Sequence, residues 1–157
     1  MGHAQVAALT PQRSAAQTGA VLGVALMGSV DEIVFHQLLQ WHHFYVHATE
    51  FWRIFSDGAF HALTTALWLV GAVMLWRRRG SLAQVLSGAP FWAGIFLGAG
   101  AFQLFDGTVN HKLLALHPVR VGAEDQWLYD ALWIASALIL LAWGRWLWVM
   151  RGRGRRL

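Results

Sequence analysis

Four long apolar stretches, separated by short polar segments, dominate the hydrophobicity pattern of the chain. They cover approximately residues 18–42, 57–76, 90–112 and 128–149. Each is close to the roughly 20 residues that an α-helix needs to cross a bilayer, and a helix satisfies the backbone groups that lipid cannot hydrogen-bond. The pattern predicts an all-α integral membrane protein, a four-helix bundle, with a membrane domain at 18–150 between tails at 1–17 and 151–157.

Composition and charge support a membrane location. The chain is 57% hydrophobic and only 13% charged, whereas soluble domains are about 25% charged. Nine of the twelve basic residues lie in segments without Asp or Glu, namely Arg13, Arg77, Arg78, Arg79, Arg145, Arg151, Arg153, Arg155 and Arg156. Without an aromatic or Gly-rich RNA-binding module, this arrangement is typical of a membrane-orientation signal and argues against nucleic acid as a partner.

The same basic residues predict the orientation of the spans. Loops rich in Lys and Arg stay on the cytoplasmic side of a membrane. The run Arg77–Arg79 closes the second stretch, and further Arg residues crowd the end of the fourth. Both termini are therefore expected in the cytoplasm, with outer loops at approximately 43–56 and 113–127.

An internal repeat relates the first and third stretches. Residues 19–42 align without a gap with residues 94–117, at an offset of 75, with nine identities in 24 positions. The identical pairs are Gly19 and Gly94, Leu22 and Leu97, Gly23 and Gly98, Asp31 and Asp106, Val34 and Val109, His36 and His111, Leu38 and Leu113, Leu39 and Leu114, and His42 and His117. Because Asp and His are rare in membrane spans, their recurrence in register is the informative part.

The repeat suggests an architecture. Two tandem helix hairpins, 19–76 and 94–149, would be related by a pseudo-twofold axis along the membrane normal. Small residues let membrane helices approach closely, so Gly23 and Gly98 are expected in the contact between spans one and three. That contact would place His36 near His111.

Ionisable side chains concentrate toward the predicted outer half. Ionisable groups in a span are costly and usually face the bundle interior. At about 100° per residue, Glu32, His36, Gln40 and His43 share one helix face, while Asp31 and His42 share a neighbouring face. In span three, Asp106, Asn110 and His117 share a face. The candidate metal ligands are His36, His42, His43, His61, His111, His117, Asp31, Asp106, Glu32 and Asp57.

This set of side chains predicts a metal site. Neutral imidazole is a common metal ligand, and Asp31 or Asp106 could ligate directly or orient an imidazole through its second nitrogen. The chain has no Cys, so copper or zinc is favoured, with iron also compatible. Haem b between facing His side chains is an alternative.

Other functions stay open at this point. The chain could be a metal-dependent membrane enzyme, a haem redox protein, a proton or ion pathway, or a structural subunit whose polar ladder fixes helix pairing. No nucleophile motif or phosphate loop decides whether the chain is an enzyme.

Three motifs resemble those of a family of predicted bacterial membrane proteins known as a domain of unknown function. The family shows D-G-I-V-x-H-Q-x-L-Q-W-H-H, D-G-x-F-H and D-G-x-x-x-H-x-L-L-x-x-H-x-V-R. The corresponding segments here are Val30–His43, Asp57–His61 and Asp106–Arg120, and the resemblance covers most of 19–143. At Glu32 this chain departs from the family's Gly.

The resemblance implies a four-span protein of the bacterial inner membrane, associated with respiratory oxidase or copper metabolism. The lipid bilayer is then the first partner. A second copy of the chain or a respiratory complex is a further partner that the sequence leaves open.

The orientation can be tested with topology reporters. Fusions at Gly88 and after Leu157 should report a cytoplasmic location, and a fusion within Val119–Asp125 should report a periplasmic one, because the basic segments stay inside. A periplasmic signal at Gly88 would contradict the predicted orientation.

Overall fold

The computed structural model describes residues 2–153, and the side chains of residues 11–150. The described chain is helical and contains no strand. The α-helices are α1 (Gly2–Val30), α2 (Glu50–Trp76), α3 (Leu82–Ser87), α4 (Ala89–Phe105) and α5 (Gln126–Arg153). Helix α1 continues as a π-helical segment at Asp31–Leu38, and α4 continues as another at Asp106–Leu113.

Three to four of these helical segments are long and apolar enough to cross a membrane. Three qualify alone, at Pro11–Leu38, Glu50–Trp76 and Gln126–Met150. A fourth is the pair Arg79–Ser87 and Ala89–Leu113, which is bent by 74°. The all-helical membrane fold expected from the sequence is therefore observed.

The helix bounds differ from the apolar stretches at three places, one of which is the start of α2 at Glu50 and not near residue 57. Helix α1 starts at Gly2, because the Ala-rich segment before residue 18 favours helix even though it is less apolar. Its π-helical extension ends at Leu38, and Gln40 then adopts a positive φ of 51°. The predicted face that continued through Gln40 to His43 is therefore wrong, since the chain has already left the helix.

Glycines bring α1 and α4 into backbone contact. A Cβ atom added at Gly23 would lie 2.1 Å from the carbonyl oxygen of Ile95, and one added at Gly98 would lie 2.1 Å from that of Ala20. Only residues without a side chain permit this approach. The expectation that Gly23 and Gly98 lie in the contact between these helices is confirmed.

Further contacts follow the offset of the sequence repeat. Gly19 faces Phe91 and Ile95, and its counterpart Gly94 faces Ala16 and Ala20. Elsewhere in the bundle, Gly71 of α2 packs on Leu22, while Gly144 of α5 packs on Leu97. These paired contacts support two tandem helix hairpins, an architecture that stays a prediction.

The two π-helical segments end in matching turns. Leu39 donates to the Val34 carbonyl over 2.8 Å, and Leu114 donates to the Val109 carbonyl over 2.8 Å. Ala115 has a φ of 48°, close to that of Gln40. π-Helical turns are rare and often occur at functional sites, and here each one precedes a chain reversal toward the bundle.

The loops that follow the turns are hydrogen-bonded to each other. The Val46 amide donates to the Leu116 carbonyl over 3.2 Å, and the Val121 amide donates to the Trp41 carbonyl over 2.8 Å. Because each loop supplies one donor and one acceptor, the pair forms a cap over the ends of α1 and α4.

The glycine contact predicts unequal effects of single methyl groups. Gly23→Ala or Gly98→Ala should lower the free energy of unfolding by about 1–3 kcal/mol or more, because the backbones must separate. Gly58→Ala is the matched control, since an added Cβ there meets nothing within 4 Å. Thermal unfolding in a mild detergent measures both effects. Equal stability of all three variants would contradict close packing of α1 on α4.

Candidate metal centre

Four imidazoles converge where α1 and α4 end. His36 and His111 lie on the two π-helical segments, and His42 and His117 lie in the loops that follow. Their exposed fractions are only 2%, 6%, 3% and 1%, respectively. The contact of α1 with α4 places the first pair, and the chain reversals at Gln40 and Ala115 turn the second pair inward.

The imidazoles are arranged almost symmetrically. The rings of His42 and His117 are stacked, with centroids 4.3 Å apart. His36 lies 4.6 Å from His42, and His111 lies 4.6 Å from His117. The two cross distances, His36 to His117 and His42 to His111, are 5.9 and 6.0 Å. Imidazoles 75 positions apart therefore have near-equal distances to the other rings of the cluster.

Four buried carboxylates accompany the imidazoles. Asp31, Glu32 and Asp106 lie on the π-helical segments and are each 1% exposed, while Asp57 comes from α2 and is 3% exposed. The side chain of Asp106 accepts a hydrogen bond from Asn110 over 2.8 Å. Its other oxygen lies 2.9 Å from Nε2 of His111.

The carboxylates around His36 are closer than those around His42. Nδ1 of His36 lies 2.9 Å from Oε2 of Glu32 and 3.2 Å from Oδ1 of Asp57. Asp31 lies between the two imidazoles, with Oδ2 3.8 Å from Nε2 of His36 and Oδ1 4.0 Å from Nε2 of His42.

Most of these buried atoms have no hydrogen bond of acceptable geometry. They include both nitrogens of His36, His111 and His117, Nε2 of His42, both oxygens of Asp31, Oε2 of Glu32 and Oδ2 of Asp106. Short distances such as 2.9 Å between His36 and Glu32 therefore do not mark aligned N–H to O bonds. An unsatisfied buried polar group costs about 1–3 kcal/mol. A cation shared by these atoms would remove this cost, so the arrangement fits a bound cation.

Three overlapping groups place their ligand atoms within 4.8 Å of one another. They are His42 with His111 and His117, Asp31 with His36 and His42, and Glu32 with His36 and Asp57. The first consists of nitrogen donors alone, and the third is rich in oxygen donors. The arrangement can therefore accept a borderline cation such as zinc or copper, or a harder one.

The two loop imidazoles are held in the neutral form. Burial, together with the neighbouring His117, lowers the pKa of His42 to about 3. Burial is also the main cause that lowers the pKa of His117 to about 4, against the opposing effect of Asp106. Neutral imidazole is the form that binds metals.

A backbone carbonyl fixes the orientation of His42. Nδ1 of His42 donates to the Val119 carbonyl over 2.7 Å, which leaves Nε2 without a proton, 4.0 Å from Oδ1 of Asp31. A ligating His commonly donates its second N–H in this way. Residue spacing alone did not indicate Val119, because the contact crosses between the two loops.

Three of the predicted ligands lie outside the three groups, although one of them, Asp106, still lies 2.9 Å from His111 within the cluster. His43 is partly exposed and lies beside the cluster, where its Nδ1 donates to Asp57 over 2.6 Å. His61 is exposed on α2, in a surface groove with Thr64 and Trp68. The structure therefore brings together eight of the ten predicted residues and makes His43 a partner of one of them.

Aromatic rings that the sequence did not single out close one side of the cluster. The ring of Phe60 lies 5.8 Å from that of His36, and the ring of Phe44 lies 6.0 Å from that of His117. The Phe44 amide also donates to Asp57 over 2.7 Å. An apolar wall of this kind limits access of water and strengthens electrostatic interactions inside.

Comparison with known families agrees with a membrane protein. The model of the family described as predicted membrane protein (DUF2243) matches residues 18–151. The chain belongs to this family. The match spans all four imidazoles and all four carboxylates of the cluster. No curated protein and no solved structure matches the chain.

Proposed function

We propose that this chain is a membrane metal-binding protein whose ion, copper or zinc, is held by His42, His111 and His117. We call these three residues the histidine centre; His36 and Asp31 lie beside it. The observation that carries the proposal is the convergence of buried imidazole nitrogens without hydrogen-bond partners.

The donor atoms favour a borderline transition metal. Imidazole suits zinc, copper and iron, whereas the thiolates that select copper(I) or iron–sulfur clusters are absent because the chain has no Cys. The rings of the cluster contact one another at 4.3 to 4.6 Å. A porphyrin would have to separate them, which favours a bare ion over haem.

A purely structural ladder accounts less well for the same residues. Polar side chains that join membrane helices do so by hydrogen bonding to each other. Here Asn110 and Asp106 form such a bond, but most of the imidazole nitrogens form none. Asn and Gln side chains would also form hydrogen bonds between helices, and their burial costs less desolvation free energy than that of a His and carboxylate cluster.

The proposed role is metal handling at the periplasmic face of the bacterial inner membrane. The centre lies where α1 and α4 end, which is the outer side in the orientation predicted from the basic residues. Family resemblance adds respiratory oxidase assembly as the process that such an ion would serve.

Metal content distinguishes the proposal from a structural cluster. Protein purified in mild detergent should contain copper or zinc, and His42→Gln with His111→Gln should remove most of the ion of the histidine centre, because a neutral amide is a poor ligand. Asp106→Asn should weaken binding roughly 10–100-fold if the carboxylate orients His111. Elemental analysis and an absorption spectrum measure both effects.

The control variant is His61→Gln, since His61 is exposed on α2 away from the three groups. It should keep the wild-type metal content. The proposal fails if wild-type protein reloaded with Zn²⁺ or Cu²⁺ binds neither, while the double variant matches its thermal stability.

A further inference from the structure

The group formed by Glu32, His36 and Asp57, here called the carboxylate group, has features that one ion at the histidine centre does not explain. All three residues are at most 3% exposed. Nδ1 of His36 lies 2.9 Å from Glu32 and 3.2 Å from Asp57, on the side of the ring opposite to the nitrogen that faces Asp31.

The contacts of the carboxylate group do not have hydrogen-bond geometry. Nδ1 of His36 and Oε2 of Glu32 have no hydrogen-bond partner. By contrast, Nδ1 of His43 forms an aligned bond of 2.6 Å with the same Asp57. Nδ1 of His36 and the two carboxylate oxygens lie within 2.9 to 3.2 Å, away from the direction of an aligned N–H bond, as ligands around a common point do.

The two groups are independent sets of ligands. The histidine centre and the carboxylate group share no residue, and each brings three ligand atoms within 4.8 Å of one another. Asp31 lies between them, with one oxygen toward His36 and the other toward His42. A carboxylate between two neighbouring ions is common in two-metal sites.

Charge balance favours more than one divalent cation. The cluster contains four buried carboxylates. Among the described residues, the ion pairs of Lys and Arg comprise only the contact of Lys112 with Asp130, outside the cluster. Buried charges are normally paired or bound to metals. With all four carboxylates ionised, one divalent ion would compensate half of their charge, and two would compensate all of it.

The second half of the chain lacks an equivalent carboxylate group. Gly107 stands where the repeat places the counterpart of Glu32, and Trp133 and Ile134 fill the space beside it. Asp130, the closest match to Asp57, is paired with Lys112. The asymmetry limits the extra ligands to one side of the cluster.

From these observations we propose that the carboxylate group binds a second divalent cation, so that the centre holds two unequal ions with Asp31 between them. This inference rests on the proposed function, to which it adds an ion and its ligands. One imidazole and two carboxylates form a harder ligand set than three imidazoles. The second ion is therefore of the Mn²⁺, Fe²⁺ or Zn²⁺ class, not copper(I).

The test counts ions per chain. Full-length protein in mild detergent is stripped with a chelator, reloaded with Zn²⁺ and freed of excess ion. Wild type should then retain two Zn²⁺ per chain. Glu32→Gln should retain one, because it removes a ligand charge of the carboxylate group, and His42→Gln should also retain one. Asp130→Asn is the matched control and should retain two, since Asp130 is an acidic residue outside the cluster.

The outcomes separate the two proposals. One Zn²⁺ in wild type, kept in Glu32→Gln and lost in His42→Gln, overturns the second ion and leaves the proposed function standing. No Zn²⁺ in wild type overturns both. Size-exclusion chromatography shows whether each variant folds. If Glu32→Gln does not fold, the wild-type count decides, because two ions support the inference and one overturns it.

Discussion

The close contact of α1 with α4 is the constraint on which the rest of the structure depends. A Cβ at Gly19, Gly23, Gly94 or Gly98 would lie 2.1 Å from a carbonyl oxygen of the facing helix. No larger side chain fits such an interface, so the two helices stay together along their length. Their C-terminal ends are therefore adjacent, and this adjacency gathers imidazoles from both halves of the chain into one cluster.

Burying the polar cluster inside the apolar bundle costs free energy. Ionisable groups at such depth are costly unless they are paired or bound to an ion. The structure reduces part of this cost through the Val119 carbonyl at His42, Asn110 at Asp106, and His43 and the Phe44 amide at Asp57. The atoms left without partners surround the histidine centre and the carboxylate group. A metal ion would satisfy them together, which links the packing of the helices to the proposed function.

The two halves of the chain contribute unequally to the cluster. Imidazoles and turns recur with the offset of 75 residues, which produces near-equal ring distances on both sides. Carboxylates do not recur in the same way, since Glu32 corresponds to Gly107 and Asp130 is engaged by Lys112. A nearly symmetric set of nitrogen ligands is thus combined with an asymmetric set of oxygen ligands, and two ions in such a centre would differ in charge environment.

The sequence by itself determined the apolar helices, the glycines of the α1–α4 contact, and the register in which His36 corresponds to His111. These features depend on local composition and on residues at fixed offsets, which a sequence displays directly.

Tertiary structure decided which other residues belong to the cluster. Regular spacing of about 100° per residue grouped Gln40 and His43 with His36, whereas the π-helical segment and the turn at Gln40 separated them. The turns at Gln40 and Ala115 and the cross-bonded loops brought His42 and His117 inward. Helix α2 directed Asp57 into the cluster and His61 away from it. Such placements depend on contacts between distant segments, and for that reason only the folded chain fixed them.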